Sequence, residues 1–548
     1  MKPNSGARAL LLLLAAFALI WFCNLDYRRL AKSDEGRYAE IPREMVQSGD
    51  WVTPRLNGFK YFEKPALQYW TTSLAYSAFG EKEWTARLWT GLTGFLCVVL
   101  VFHAGNRIAA PPAGIYSAAV VASSALYVLS GHVLTLDMGF AFFLALTMFG
   151  FVVAQQDGIA AAQSRRWMLA SWAAMALAVL SKGLAGAVLP MTAVALYVLV
   201  QRDWGLLRRL CIVPGCALFL AIAAPWFVAV SVANDEFFQF FFIHEHFTRF
   251  LTRAHGRYQP FWYFVPVLLA GAMPWTISLF PSLLRAWAAS PQHRFREERF
   301  LLLWCTVVFV FFSASNSKLP GYILPMLPAT GLLLGIELVR APRALLAAQA
   351  ALAAAAGAAV FALSPSLVRF ASESMPATLL QDYARWLGAA GAVLCAGALA
   401  AAALEWTRRR TASILALAFA ALASFQIALG GYETLSPVYS AHQIVERIRP
   451  HLKADAPFYF VDTFDHTLLF YLGRTVTMVH YRDELSTAIE WEPQKFLPDI
   501  EAFAKAWRND REAYAIFSVA DYARLGPALN LPMQVIASDP RRVIVRKP

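Results

Sequence analysis

The residues best suited to chemistry stand in SDEGRYAEIPREMVQSGDWVTPRLNGFKYFEKPALQYW, residues 33–70, directly after the first apolar run. Charge at a membrane boundary is costly unless it serves a site, so this density of carboxylates, arginines and aromatics reads as catalytic. At helical spacing Asp34, Arg37, Tyr38 and Ile41 share a face. The other reading of Asp34 is a helix-starting residue that satisfies free backbone donors, with Glu35 complementing the dipole. In Tyr61-Phe62-Glu63-Lys64-Pro65 the Glu–Lys neighbours form either a surface pair or an interfacial segment set by aromatics and proline. Lys64 is a suitable point charge for phosphate.

Three more places carry such residues. Asp137, in LTLDMGF, opens an apolar run, where a carboxylate must face a cavity or a partner, or cap the helix. Lys182 in LSKGLAG and Lys318 in SNSKLPGYILP lie against the charge trend of the chain. They either snorkel or, with Lys64, ring an anionic head group. In HEHFTRFLTRAHGRYQPFWYF, residues 244–264, His244 and His246 flank Glu245, and Arg249, Arg253 and Arg257 repeat every four residues. The i, i+2 histidines lack a third ligand at a standard spacing, so site lining or phosphate binding fits them better than a structural metal. These clusters all sit at membrane boundaries on one side, a convergence that packing alone does not produce.

The elements that must position them are apolar helices. The 548 residues are 58% hydrophobic and 15% charged, with mean hydropathy +0.48, against roughly 25% charge in soluble domains. Runs of about 20 residues are needed to cross the hydrocarbon core, and roughly thirteen occur, centred near residues 15, 96, 121, 147, 173, 192, 220, 270, 306, 330, 353, 395 and 420. The first, preceded by Lys2 and Arg8, has the look of a signal peptide without a small-residue cleavage site and is expected to stay as a helix. Arginines gather in the connections after even-numbered runs: Arg107; Arg165 and Arg166; Arg202, Arg208 and Arg209; Arg285, Arg294 and Arg296; Arg340 and Arg343; Arg408 to Arg410. The positive-inside rule makes those connections cytoplasmic and, with an odd count, places the N-terminus inside and the tail outside. The net charge of +12 therefore belongs to membrane orientation and anionic lipid, not to nucleic acid. The six cysteines lie in or beside apolar runs, which excludes a disulfide framework and a thiolate metal site.

From about residue 440 the pattern changes. Strands are expected at Phe458–Val461, Val476–His480, Ala515–Val519 and Val543–Val545, with helices at Ala441–Arg449 and Ile500–Trp507. Residues 1–439 are thus read as a transmembrane domain with catalytic loops at 23–86 and 231–260, and residues 440–548 as a small α/β domain without a nucleotide fingerprint.

SDEGRYAEI, REMVQSGDWVTPRLNG and YFEKP, followed by ARLW, LTLDM, SKG, EHFTRF, PFWYF and SKLPGYILP, resemble the bacterial C-type, polyprenyl-phosphate-dependent glycosyltransferases related to protein O-mannosyltransferases. Within them the chain looks most like the lipid A 4-amino-4-deoxy-L-arabinose transferases. The specific motifs cover most of residues 1–330; the remainder matches by hydropathy and layout. The chain has KPAL where many relatives show two prolines, and PREM where others have a small residue, and neither change removes a charge.

The resemblance implies a polytopic α-helical membrane protein of about 13 transmembrane helices in the C-type glycosyltransferase fold, with a small C-terminal α/β periplasmic domain. It implies Asp34, Asp137 and Glu63 as catalytic carboxylates. It implies Lys64, Arg37, Tyr38, Lys182, Arg249, Tyr322 and His246 (or His244) at the donor phosphate, with Tyr61 and Lys318 beside them. No cofactor is expected to be required; a divalent metal at Glu63, His244 and His246 stays open. The implied donor is a sugar on undecaprenyl phosphate and the implied acceptor a lipid A phosphate, at the periplasmic face of the bacterial inner membrane. Transfer of another sugar to a lipid or protein hydroxyl is the nearest alternative. A sugar-lipid transporter is the alternative of another class, but the Asp34–Trp70 motif has no second copy, whereas transporters commonly carry internal repeats.

Overall fold

The computed structural model describes residues 5–109, 111–248, 258–288 and 294–548. Among the described residues, seven helices are long and apolar enough to cross a membrane: Glu83–Ile108, Asp137–Gln155, Ile212–Ala233, Pro320–Arg340, Arg343–Phe370, Ala377–Trp406 and Arg410–Tyr439. Two pairs qualify only jointly, and both are bent, Ala113–Ser123 with Ala125–His132 by 62° and Phe261–Gly271 with Thr276–Ala288 by 113°. Arg8–Phe22 and Ala185–Gln201 are shorter apolar helices, and Ala161–Lys182 and Glu297–Ala314 occupy the two remaining apolar runs. Each expected run is therefore helical, and by length and composition seven to nine of them qualify as crossings among the described residues. The run near residue 270 turns back on itself, which no periodicity in the sequence discloses. Outward apolar side chains such as Leu220, Val228 and Val232 on Ile212–Ala233 are exposed, as a lipid-facing surface requires.

Between the first apolar helix and Glu83 lies an extramembrane layer. Helix Asp34–Ser48 begins with Asp34 and Glu35, which complement its dipole, and ends where Gly49 adopts a left-handed conformation at φ 73°. A short hairpin follows, β1 (Arg55–Leu56) and β2 (Phe59–Lys60). It turns on Asn57 and Gly58, both at positive φ, the residue pair such tight turns favour. Helix Leu67–Phe79 returns the chain to the membrane.

The C-terminal residues build a six-stranded sheet of β3 (Phe458–Val461), β4 (Thr477–Val479), β5 (Phe496–Leu497), β6 (Tyr514–Ser518), β7 (Gln534–Ser538) and β8 (Arg542–Arg546). The spatial order is β5-β4-β3-β6-β8-β7. β3 to β6 run parallel and β8 joins antiparallel to both β6 and β7. The four expected strands are present within a residue or two; β5, of two residues, and the exposed edge strand β7 carry too little apolar signal to be read beforehand. β3 is buried on both faces. Phe458 and Phe460 join a core that contains Tyr38, Ile41, Leu56 and Tyr69 of the extramembrane layer, while Tyr459 and Val461 pack with Phe503 and Trp507 of helix Ile500–Asn509. One hydrophobic core thus unites the C-terminal sheet with the Asp34 helix.

Candidate active site

Asp34 is the first residue of its helix, and its carboxylate reaches back to accept from Arg37 Nη1 at 2.6 Å. The helix is held in place by its neighbour Glu35. That fully buried carboxylate takes both Nε and Nη2 of Arg87 at 2.7 and 2.8 Å, and also the backbone N–H groups of Ala31 and Leu134. Burial would raise the Glu35 carboxyl; Arg87 and Arg28 outweigh it and hold the group down at about 2. Glu35 is therefore the bolt between the Asp34 helix, span Glu83–Ile108 and the turn that leads into Asp137. The simple dipole role expected for it is a small part of what it does.

The Asp34 helix and the turn into Asp137, which the bolt joins, both line a cavity of about 480 Å³. Asp34, Arg37, Tyr38, Glu63, Lys64, Asp137, Lys182, His244 and Tyr322 all line it, so residues spread over almost 300 positions meet in one place. Lys182 closes helix Ala161–Lys182, where Gly183 at φ 96° stops the helix, and its ammonium forms an ion pair with Asp137 and lies 4.7 Å from the Tyr322 ring centroid. Gly321 permits this corner: a Cβ there would come within 2.6 Å of Asp137 Oδ2. Lys64 Nζ donates to the Glu63 carbonyl at 2.7 Å and stands 3.9 Å from Glu63 Oε2. His244 stacks on Phe240 at 5.2 Å.

Two expected residues are elsewhere. Lys318 is buried outside the cavity, where its ammonium donates to the carbonyls of Gln259 (2.9 Å) and Ser315. It staples a loop, and backbone oxygens satisfy the charge that head groups were expected to meet. Tyr61 is buried in the aromatic core behind Arg37 and does not line the cavity. Arg249 and the side chain of His246 lie outside the described residues, as do Arg253 and Arg257. Among the described residues no group of three or more His, Cys, Asp or Glu side chains is arranged to hold a metal ion.

The C-terminal unit supplies the remaining wall with His466, Asp483, Glu484, Ser486 and Thr487. None of these five is among the site residues expected from the sequence, where residues 440–548 show only a small α/β domain without a nucleotide fingerprint. Glu484 forms an ion pair with Arg37 and a hydrogen bond with His466 Nε2. Burial alone would raise its carboxyl; His466 and Arg37 reverse this and hold it at about 2. The only signal in the sequence was a charged triplet, Arg482-Asp483-Glu484, between two short apolar strands.

Residues 444–547 match the family model of the aminoarabinose transferase C-terminal domain, and residues 6–245 that of dolichyl-phosphate-mannose-protein mannosyltransferases. The fold superposes on the crystal structure of ArnT from Cupriavidus metallidurans bound to undecaprenyl phosphate with a TM-score of 0.94, at 38% identity over 99% of both chains. The chain belongs to the aminoarabinose transferase family. It is also 33% identical over 338 residues to an undecaprenyl phosphate-alpha-4-amino-4-deoxy-L-arabinose arabinosyl transferase of Pseudomonas fluorescens. With the Pseudomonas aeruginosa PAO1 relative the identity is 34% over 337 residues. The chain spans about 60% of the length of these curated relatives. An oligosaccharyltransferase of Archaeoglobus fulgidus shares the fold at a TM-score of 0.52 and 13% identity. The apolar helices described above are those of a multi-pass membrane protein.

Proposed function

We propose that the protein transfers 4-amino-4-deoxy-L-arabinose from undecaprenyl phosphate to a lipid A phosphate at the periplasmic face of the inner membrane. The N-terminus is then cytoplasmic and the C-terminal sheet periplasmic. The observation that carries this reading is the composition of the cavity. Three cationic groups, Arg37, Lys64 and Lys182, face five carboxylates, Asp34, Glu63, Asp137, Asp483 and Glu484, among the described residues. A donor that carries a phosphodiester and a sugar ammonium matches such a mixed cavity, whereas a purely anionic ligand would not.

The donor cannot leave the membrane, so its phosphate must react at head-group depth, where Lys64 and Lys182 stand. As the anomeric carbon leaves the phosphate, negative charge grows on the departing oxygen, and preorganised cations there supply the main electrostatic assistance. Asp137 acts through Lys182, whose ammonium it aims, and not on the sugar. Asp34 faces the developing positive charge of the sugar and keeps Arg37 in place. A lipid A phosphate is already ionised near neutral pH, so the acceptor needs no general base, and the reaction uses these side chains without a required metal. A single displacement inverts the anomeric centre; a retained product anomer would contradict it.

The test is expression of the chain and its Asp34→Asn variant in a Gram-negative host that makes the aminoarabinose donor but lacks its own transferase. Mass spectrometry of lipid A then reads the product. An added aminopentose that disappears in the variant supports the proposal, and unmodified lipid A from well-expressed protein contradicts it. The mannosyltransferase match of residues 6–245 favours one second reading, hexose transfer to a hydroxyl, which the mass of the product separates from the first.

A further inference from the structure

Arg37 is unusual for a phosphate ligand because its charge is already spent. Its side chain is almost fully buried, Nη1 donates to Asp34 at 2.6 Å, Nε donates to Glu484 Oε1 at 3.3 Å, and Nη2 donates to Glu484 Oε2. A guanidinium has five N–H groups in a rigid plane. Three are used, which leaves one on each terminal nitrogen for the cavity. Glu484 takes the side edge of that plane as a fork, the most directional arrangement available to an arginine. Glu484 is itself steadied by His466, the first residue of helix His466–Leu472. That helix is capped by Asp465, which accepts from the Thr467 and Leu468 N–H groups at 3.0 and 3.3 Å. It is pressed against the Asp34 helix so closely that a Cβ on Gly36 would lie 2.6 Å from Thr467 N.

We propose that Glu484, steadied by His466, is a positioning residue for the donor phosphate: it fixes the plane of Arg37 so that the two remaining N–H groups meet a phosphate oxygen. The C-terminal unit is then part of the donor site and not an accessory to it. This deepens the function proposed above and rests on it. An arginine paired with two carboxylates offers direction instead of net charge, so the attraction of the phosphate comes from Lys64 and Lys182, and the register comes from Arg37.

Positioning and charge predict opposite signs for one substitution. Glu484→Gln removes a negative charge from the phosphate site. If charge alone governed binding, undecaprenyl phosphate would bind more tightly; a misaimed guanidinium instead weakens binding by about tenfold, in keeping with the steep cost of small misplacements. The measurement is undecaprenyl phosphate binding to full-length protein in detergent, for wild type, Glu484→Gln, Arg37→Ala and the double variant. The expected result is about tenfold weaker binding in Glu484→Gln and no added loss when Arg37 is already gone. Unchanged or tighter binding in Glu484→Gln, or losses that multiply in the double variant, overturns the inference and leaves the proposed function standing. Wild-type protein that does not bind undecaprenyl phosphate overturns both. Should Glu484→Gln not yield monodisperse protein, His466→Phe decides: weaker binding supports the inference and unchanged binding overturns it.

Discussion

At the scale of single residues, the site divides its carboxylates by what each one holds. Asp34 is only partly covered and faces the cavity, and Asp34→Asn is expected to reduce transfer by about a hundredfold or more, the scale of losing a preorganised electrostatic partner. Asp137 pairs with Lys182 and is proposed to act through it, so Asp137→Asn and Lys182→Ala should not multiply: the double variant should fall at most about threefold below the worse single one, measured as initial rates. Multiplying losses would show that Asp137 has its own part in the chemistry. Glu35 is different in kind, since its partner Arg87 is wholly buried with it. Arg87→Ala strands a buried carboxylate and should cost roughly 3–5 kcal/mol of stability, read by thermal unfolding in detergent. The sequence disclosed Asp34, Arg37, Glu63, Lys64, Asp137 and Lys182 because charges beside apolar runs stand out. It could not disclose that Lys318 is satisfied by backbone carbonyls, or that Glu484 reaches Arg37 across 447 positions, since neither fact has a local signal.

At the scale of elements, the contact between helix Asp34–Ser48 and helix His466–Leu472 sets the geometry. Gly36 lies 2.6 to 2.7 Å, measured from a notional Cβ, from the His466–Thr467 backbone, and main chain cannot swing aside as a side chain can. Gly36→Ala should therefore push the C-terminal helix away and lower transfer at least about tenfold while membrane insertion is kept; full activity would show that the contact is not needed. Acid should loosen the same joint. The Glu484 carboxyl is held at about 2 against an ordinary value of 4.5. A depressed folded value contributes stability that is complete above the ordinary one and is lost as pH falls towards 2. Hydrogen exchange at residues 483–487 should accelerate, after correction for intrinsic rates, between about pH 4.5 and 3, and constant protection would contradict the linkage. The apolar runs and four of the six strands of the C-terminal sheet are legible from periodicity alone. The 113° turn after Phe261–Gly271 is not, because bending depends on what the helix packs against.

At the scale of the whole molecule, membrane helices and C-terminal sheet form one machine around a shared core in which Tyr38, Ile41 and Leu56 pack with Phe460 and Ile516. Asn57 exchanges two hydrogen bonds with Val476, at 2.8 and 3.0 Å, and Arg55 pairs with Glu492 at 3.1 Å, so the hairpin is sewn to the sheet. Recognition of a lipid-linked amino sugar is the function proposed for this joined cavity. Its most direct test is reconstitution of the purified full-length protein in vesicles with lipid A and either undecaprenyl-phosphate aminoarabinose or the corresponding mannose donor. The expected result is transfer of the aminopentose to a lipid A phosphate, with the mannose donor turned over at least about tenfold more slowly. Equal or preferred use of the mannose donor, or no transfer by protein that binds undecaprenyl phosphate, would contradict it.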